Sequence, residues 1–384
     1  MWIPVLIYCT LFLALLYTGI ILAYRYWFMR LPVYVPKEDV LTPPVFFTVI
    51  IPARNEEQHI AACLQSILNG TYSKDQYEIW VVDDHSADRT PFIVEEIAQQ
   101  YHHVHLLKLA DHIADPALVA YKKKAIELAV AKSKGDWIVT TDADCRLPNE
   151  WLSLFNNYIG QHDVVMVAAP VIFQENESVN SIFQTIDFMT LQGITAAAVG
   201  AGVHAMCNGA NLAYEKKAFM EVNGFAGIDH KASGDDMLLM SKLKEKFPGK
   251  IGFLFHPNVV VTTYPMPGWK AFINQRVRWA SKSSQYKDVS ILAVLVVVYL
   301  WNLSLFMLPL LGCWYPGIWL FVMLLIGYKA LIEFSFVIPV ARFFKKIDLL
   351  NWFVVLQPLH ITYMVIAGWL GNMSRYTWKG RKVK

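Results

Sequence analysis

From residue 1 to residue 24 the chain carries no charged side chain. About 20 apolar residues at 1.5 Å rise cross a hydrocarbon core of about 30 Å, so this run is long enough to span a bilayer as one helix. A cleaved signal peptide is the competing reading. Its basic n-region is missing, however, and Arg25 and Arg30 lie after the run. A retained anchor over residues 1–28 is therefore expected.

Two more uncharged stretches follow much later. Residues 289–328 are long enough for two spans joined by a short turn at 313–317. Lys329 and Glu333, four residues apart, either pair on the second helix or mark its wet end. Residues 349–374 are interrupted by Gln357, Pro358 and His360, and read either as another span or as a broken, re-entrant segment. Between the anchor and these stretches, residues 40–285 have ordinary globular composition. The expected order is an anchor (1–28), a soluble domain (40–285), a membrane bundle of two or three spans (289–374) and a basic tail (375–384). Composition agrees: the chain is 55% hydrophobic and 17% charged, with a net charge of +3. It is too apolar for an ordinary cytosolic protein and too charged to be embedded throughout. A charge of +3 is too small to argue for nucleic acid, and none is expected as a partner.

Lys and Arg near the span ends set the expected topology. Arg25, Arg30 and Lys37 follow the first span, Arg276, Arg278, Lys282 and Lys287 precede the second, and Arg342, Lys345 and Lys346 follow the third. The turn at 313–317 has neither residue type. This pattern puts the globular domain on the cytoplasmic side. The tail is also basic (Arg375, Lys379, Arg381, Lys382, Lys384), which a fourth complete span would place outside; that conflict favours re-entry of residues 349–374. Five cysteines (Cys9, Cys63, Cys145, Cys207, Cys313) lie far apart without metal-ligand spacing, and free thiols are expected.

Within the globular part, 46–52 (FFTVIIP), 77–83 (YEIWVVD), 104–109 and 137–142 (WIVTTD) read as strands, the first as a continuous β-branched run of a buried parallel strand. Helices are expected from Asn55 as N-cap to about 69, from about 91, and over 122–133. Alternation of strands and helices predicts an α/β domain with a mostly parallel sheet covered on both faces. Ligands bind such sheets beyond the carboxyl ends of the strands. There the chain places Pro52-Ala53-Arg54-Asn55-Glu56, then Asp83-Asp84-His85-Ser86, then Asp142-Ala143-Asp144. No G-x-G-x-x-G and no P-loop accompanies them.

Each cluster has a functional and a structural reading. Asp142 and Asp144 are two apart at a strand end, where alternate residues face the same way. Two hard oxygen donors suit Mg or Mn held together with substrate phosphates; otherwise they form a solvated turn before Pro148. Asp83 and Asp84 either recognise a base or ribose or close an Asx turn. Lys122 and Lys123 can reach a diphosphate, or lie on a solvated helix face. Gly234-Asp235-Asp236 opens a helix, where negative charge is favourable in any case; a carboxylate there can also act as a general base. Gln275, Arg278 and Trp279, spaced i, i+3, i+4, share one helix face, either as a membrane-edge anchor or as a site where Arg pairs with phosphate and Trp stacks on a ring.

Taken together, V-I-I-P-A-R-N-E-E (49–57), V-V-D-D-H-S-A-D (81–88), T-D-A-D (141–144), N-G-A-N (208–211), G-D-D-M-L-L (234–239) and Q-R-V-R-W (275–279) form an ordered set. Over about residues 46–285 the chain resembles the membrane-bound family 2 glycosyltransferases, similar to both ceramide glucosyltransferase-like and polysaccharide synthase-like members. The resemblance implies a GT-A (Rossmann-like) fold, an inverting mechanism, a nucleotide-sugar donor (UDP-linked by family habit) and Mg or Mn. It assigns Pro52, Ala53, Arg54, Glu56, Asp83, Asp84, Lys122, Asp142 and Ala143 to the donor pocket and Asp144 to the metal. Asp236 becomes the base, and Gln275, Arg278 and Trp279 hold the diphosphate and the acceptor end. Asn208, Gly209, Asn211 and Asp235 line the acceptor side. Two departures stand out: Asp235 replaces the usual Glu of a Glu-Asp pair, and Tyr121 replaces the usual Gly before the lysine.

A lipid or lipid-linked acceptor at the cytoplasmic leaflet fits three or four spans better than a processive polysaccharide synthase, which needs a translocation channel. An inactive nucleotide-sugar-binding membrane scaffold is the reading from another class; intact Asp144, Asp236 and Arg278 argue against it. The apolar stretch 194–203 is expected either at the interface beside the site or in a core helix.

Overall fold

A computed structural model of the chain describes residues 2–37, 43–113, 120–229, 234–281, 288–373, 376–378 and 381–383. Lys282, Lys287, Arg375, Lys379 and Lys384 lie outside the described residues. Along the chain, α1 (Trp2–Arg30) is followed by β1 (Phe47–Ala53), α2 (Ile60–Leu68), β2 (Tyr77–Asp83), α3 (Thr90–Gln100), β3 (Val104–Lys108), α4 (Tyr121–Lys132), β4 (Trp137–Thr140) and α5 (Trp151–Gln161). Then come β5 (Met166–Ala168), β6 (Val171–Phe173), α6 (Val179–Gly200), β7 (Leu212–Glu215), α7 (Lys216–Glu221), α8 (Met237–Lys246), β8 (Ile251–Phe253) and β9 (Val261–Thr263). Helices α9 (Gly268–Ala280), α10 (Val289–Gly312), α11 (Ile318–Phe343) and α12 (Gln357–Met373) follow. These elements form two compact units. One comprises residues 31–174 and 199–264, and the other residues 1–30, 175–198 and 265–384.

In the first unit the apolar run of β1 dictates a central position: Phe47, Val49, Ile50 and Ile51 are fully buried, which requires cover on both faces. The sheet order is β3-β2-β1-β4-β7-β5-β8. β3, β2, β1 and β4 are parallel, with Ile51 opposite Val81 and Ile50 opposite Thr140. β7 runs antiparallel to both β4 and β5, and β8 parallel to β5. β6 and β9 form a separate parallel pair. The expected mostly parallel α/β sheet is thus present. Inside it, Glu78 Oε1 accepts hydrogen bonds from Thr48 Oγ1 (2.8 Å) and Lys134 N–H (2.6 Å).

The helix expected from Asn55 begins instead at Ile60. Asn55 adopts a left-handed backbone (φ 53°) and its side chain accepts from Ala87 N–H at 2.8 Å, while its own N–H donates to Ser86 Oγ at 2.9 Å. The Asn is thus used by the neighbouring loop, not as a helix cap.

In the second unit three helices, Pro4–Arg30, Val289–Gly312 and Ile318–Phe343, are long and apolar enough to cross a membrane. On α1 the buried residues Thr10, Ala14, Tyr17, Ile21, Tyr24 and Phe28 recur at alternating steps of four and three, the seam of a helix packed lengthwise. That seam meets α10 and α11. Leu11, Phe12, Leu15 and Leu22 point outward. Lys329 and Glu333 pair at 2.7 Å, and the lysine is fully buried, so these residues belong to the helix interior and not to a wet end. The segment 347–356 forms a short 3₁₀ helix and turns before α12, which has 17 residues and begins at Gln357-Pro358. α9 packs on α12 so closely that a Cβ on Gly371 would lie 2.6 Å from Ala280 Cβ. In the 194–203 stretch, residues 195–199 of α6 are buried and residues 200–202 are exposed.

Candidate functional site

The carboxyl ends of β1, β2 and β4 are laced together by their own loops. Asp84 N–H donates to Ala53 O (2.8 Å), and Arg54 Nη1 donates to Asp84 O (3.3 Å) and lies 3.8 Å from Asp84 Oδ1. Glu56 N–H donates to Thr90 Oγ1 (2.8 Å) and Glu57 N–H to Asp88 Oδ2 (3.0 Å). His85 also has a left-handed backbone (φ 55°), and its Nδ1 lies 2.9 Å from Asp84 Oδ1. Asp83 closes a turn by accepting from Ser86 N–H at 3.3 Å. Its other carboxylate oxygen is buried and has no hydrogen-bond partner among the described residues, an acceptor left available to a ligand donor. Pro52 continues β1, opposite Val82, and brings Ala53 and Arg54 to this edge.

β4 ends at Thr140, so Asp142, Ala143 and Asp144 lie in the turn beyond it, and strand alternation does not govern their directions as the spacing had implied. Behind the turn lie two buried thiols. Cys63 Sγ donates to Asp142 O (3.6 Å) and Cys145 Sγ to Asp144 Oδ1 (3.7 Å). Burial and the adjacent carboxylates of Asp144 and Asp142 push both thiols above the ordinary cysteine value, so they remain protonated. The donors the turn can offer a cation are therefore hard carboxylate oxygens. Among the described residues no group of three His, Cys, Asp or Glu side chains converges into a closed metal cage. Such a set suits an Mg- or Mn-type ion held by one or two carboxylates and completed by substrate phosphates.

Lys122, in the first turn of α4, is the hub of the site. Its Nζ lies 2.8 Å from Asp142 Oδ1 and 3.2 Å from Asp235 Oδ2. Burial alone would lower its pKa, but the carboxylates of Asp142, Asp235 and Asp236 outweigh that and hold the ammonium above the ordinary lysine value. Asp236 caps α8, accepting from Met237 N–H at 2.8 Å, and its second oxygen accepts from Gly209 N–H at 3.3 Å. Thr140 Oγ1 donates to Gly209 O (2.8 Å). A Cβ on Gly209 would lie 3.4 Å from Asp235 Oδ2 and 3.6 Å from Lys122 Nζ. The structure thus brings Lys122, Asp142, Gly209, Asp235 and Asp236 together, and Asp236 both caps α8 and joins this cluster.

Asn208 and Asn211 part company. Asn208 Oδ1 accepts from Ala210 N–H within its turn (3.0 Å). Asn211 is fully buried: it accepts from Trp151 Nε1 (2.9 Å) and donates to Pro170 O (2.8 Å) and Val259 O (2.9 Å). The expectation that it lines the acceptor side is corrected, because its amide is consumed inside the core.

Gln275, Arg278 and Trp279 lie on α9, in the other unit. There the residue between them, Arg276, carries the packing. It is buried, donates to Gln275 Oε1 (3.1 Å) and to Asp187 Oδ2 (2.5 Å), and its guanidinium centre lies 4.2 Å from the Trp279 ring centroid. From the sequence, Arg276 counts only among the charges that set topology, Cys63 and Cys145 only as free thiols, and Asp187 not at all; the placement of a charged residue inside the Q-R-V-R-W string was the one hint at the role of the first.

The chain can now be set beside known proteins. It is 30% identical over 107 residues to the beta-monoglucosyldiacylglycerol synthase of Trichormus variabilis, a match covering 28% of this chain and 22% of that protein. It is 27% identical over 260 residues to the probable glycosyltransferase YdaM of Bacillus subtilis, covering 64% of this chain and 57% of that one. The chain thus spans between about a fifth and just over half of the length of these curated relatives. Among solved structures, the mannosyltransferase PcManGT from Pyrobaculum calidifontis, in complex with GDP-Man and Mn2+, shares the fold. The TM-score is 0.57 at 18% identity, over 93% of this chain and 98% of that one. The profile of Glycosyl transferase family 2 matches residues 48–222, and that of Glycosyl transferase family group 2 matches residues 137–370. The second match runs over more than half of the sequence, and the chain belongs to glycosyl transferase family group 2.

Proposed function

We propose that the chain is an inverting glycosyltransferase that moves a sugar from a nucleotide sugar, UDP-linked by family habit, to a lipid or lipid-linked acceptor at the cytoplasmic leaflet. The observation that carries this reading is the cluster of one cation and three carboxylates, Lys122 with Asp142, Asp235 and Asp236, gathered around Gly209 beyond the ends of the parallel strands. The lipid acceptor is supported by the three membrane-length helices and by relatives named as glucosyldiacylglycerol synthases.

In this mechanism Asp83, Asp84 and Arg54 hold the base and ribose, with Pro52, Ala53 and Glu56 shaping the same edge. Asp236 takes the proton of an acceptor hydroxyl. The acceptor oxygen bonds to the anomeric carbon from the face opposite the departing diphosphate. The bond from that carbon to the phosphate oxygen breaks, and its electron pair leaves with the nucleoside diphosphate. One displacement inverts the anomeric centre without a covalent enzyme intermediate. Lys122 supplies positive charge for the leaving group, and the resemblance gives Arg278 the same task and Gln275 and Trp279 that of steadying the acceptor end. Asp144, with Asp142, would hold Mg or Mn, which when bound adds to the neutralisation of the diphosphate.

The test uses the full chain in lipid nanodiscs with labelled UDP-glucose, UDP-N-acetylglucosamine or GDP-mannose, Mg or Mn, and diacylglycerol or polyprenyl phosphate. One labelled sugar on a lipid, with inverted anomeric configuration, is expected. A ladder of long glycans would make it a processive synthase, and donor binding without turnover would make it a scaffold. Metal-independent stabilisation by every donor, unchanged in Asp144→Ala, would undo the D-x-D assignment.

A further inference from the structure

Among the partners of Arg276, two belong to the group read above as holding the diphosphate and acceptor end. Its Nη1 donates to Gln275 Oε1 (3.1 Å), and its guanidinium plane serves Trp279 at 4.2 Å and Phe272 at 4.7 Å from the ring centroids. Its Nη2 donates to Asp187 Oδ2 at 2.5 Å, and both side chains are 4% exposed. A guanidinium so enclosed offers nothing to a substrate, and its fixed fork sets the two neighbours relative to each other.

Asp187 is itself held from behind. Tyr363 OH donates to Asp187 Oδ1, and His360 Nε2 lies 3.9 Å from the same oxygen. Lys329 Nζ stands 3.3 Å from His360 Nδ1 and donates to Glu333 Oε1 and Gln357 Oε1, each at 2.7 Å. Gln357 Nε2 donates to Glu333 Oε2 (2.7 Å), and Tyr17 OH donates to Glu333 Oε1. A chain of polar contacts therefore runs from α1 through α11, α12 and α6 to α9, with Arg276 Nε at its end buried and without a hydrogen-bond partner among the described residues. Buried polar groups of a membrane bundle are costly, which ties this circuit to a function other than stability alone.

We infer that Arg276, anchored by Asp187 and Tyr363, is a positioning residue that fixes Gln275 and Trp279 in the geometry the transfer reaction uses. The inference rests on the role proposed for those two residues. Lysine at 276 keeps the charge facing Asp187 but cannot donate as a planar fork to Gln275 while stacking on Trp279. A purely structural ion pair predicts that Arg276→Lys behaves as wild type.

The experiment compares wild type, Arg276→Lys and Tyr363→Phe as full chains in nanodiscs labelled with 5-fluorotryptophan. The Trp279 19F resonance is the one missing in Trp279→Phe. In Arg276→Lys it is expected to shift and broaden while the thermal midpoint stays near wild type. With the nucleotide sugar that wild type turns over, kcat falls by about 10–100-fold with little change in donor KM, as expected for a misplaced group. Tyr363→Phe, which leaves the ion pair, gives a smaller change in the same direction. An unmoved Trp279 resonance with wild-type kcat in Arg276→Lys overturns the inference. If wild type turns over no nucleotide sugar, the proposed function fails on its own, and the resonance still decides whether Arg276 sets Trp279.

Discussion

Lys122 Nζ lies 2.8 Å from Asp142 and 3.2 Å from Asp235, so one ammonium ties the turn after β4 to the turn before α8. In Lys122→Met the stem is retained and the charge removed, leaving a group of carboxylates to repel one another and an incoming diphosphate. A hydrogen bond to a charged group contributes about 1.5–3 kcal/mol, so donor affinity or turnover should fall by about 10–100-fold. Nucleotide-sugar titration monitored by thermal shift reads this directly. Wild-type binding and turnover in Lys122→Met would return Lys122 to a plain helix-start lysine.

Asp236→Asn separates the two roles of that carboxylate. Asparagine caps helices as well as aspartate, so its one carbonyl oxygen should keep the bond from Met237 N–H and with it α8, while the amide nitrogen in place of Oδ2 gives up the longer bond from Gly209 N–H at 3.3 Å. Donor binding should therefore persist while transfer drops by about 10²–10⁴-fold, the range for a lost general base. Appreciable transfer by this variant would remove Asp236 from the base position.

Asn211→Ala is predicted to damage the fold rather than acceptor use. It strands Trp151 Nε1 and the carbonyl of Val259 in the core, while Pro170 O keeps its bond from Val261 N–H, at a cost of about 2–4 kcal/mol for the set. Asn208→Ala, which loses one bond within a turn, should cost about 1 kcal/mol or less. Equal thermal midpoints for the two variants would contradict the buried role of Asn211.

These two asparagines also show where the sequence is legible. β1 and β2 could be read because seven-residue runs buried on both faces leave a continuous apolar signature. β5, β6, β8 and β9 could not, because three residues carry no periodicity. Asn55 looked like a helix cap, and its competing bonds to Ser86 and Ala87 lie about thirty positions away, beyond any local rule. Asn208 and Asn211 sit in one motif, yet only tertiary packing turns the second inward. Arg276 was hidden by its own motif, since helical spacing emphasised Gln275, Arg278 and Trp279 while burial selected the residue between.

Acid should destabilise the α/β unit through His103. Burial lowers its pKa, helped by His102, Lys74 and His105 and opposed by Asp75. Burial likewise lowers His105, against the pull of Glu78. Between the unfolded value near 6.5 and the lower folded values, the unfolded chain binds more protons. The stabilisation is therefore complete above about pH 6.5 and is lost as pH falls below it. The thermal midpoint should drop between about pH 7 and pH 5, and His103→Phe, which can keep the edge-on contact with Tyr77, should flatten part of that drop. An unchanged pH slope in His103→Phe would acquit His103.

The buried pair of α11 gives a last, opposite kind of test. Lys329 donates to Glu333, Gln357 and His360, so Lys329→Met leaves Glu333 without its cation and Gln357 Oε1 and His360 Nδ1 without their donor. Breaking one side of a buried pair costs about 3–5 kcal/mol, whereas replacing both sides by apolar residues is often close to neutral. Lys329→Met should therefore lower the thermal midpoint in nanodiscs strongly, and Lys329→Met/Glu333→Leu should recover much of the loss. The recovery is expected to be incomplete, because Tyr17 and Gln357 also give up their bonds to Glu333. If the double variant is no more stable than Lys329→Met, the circuit is held by its hydrogen bonds as a whole and not by the ion pair. If Lys329→Met is as stable as wild type, the lysine is not compensating Glu333 at all.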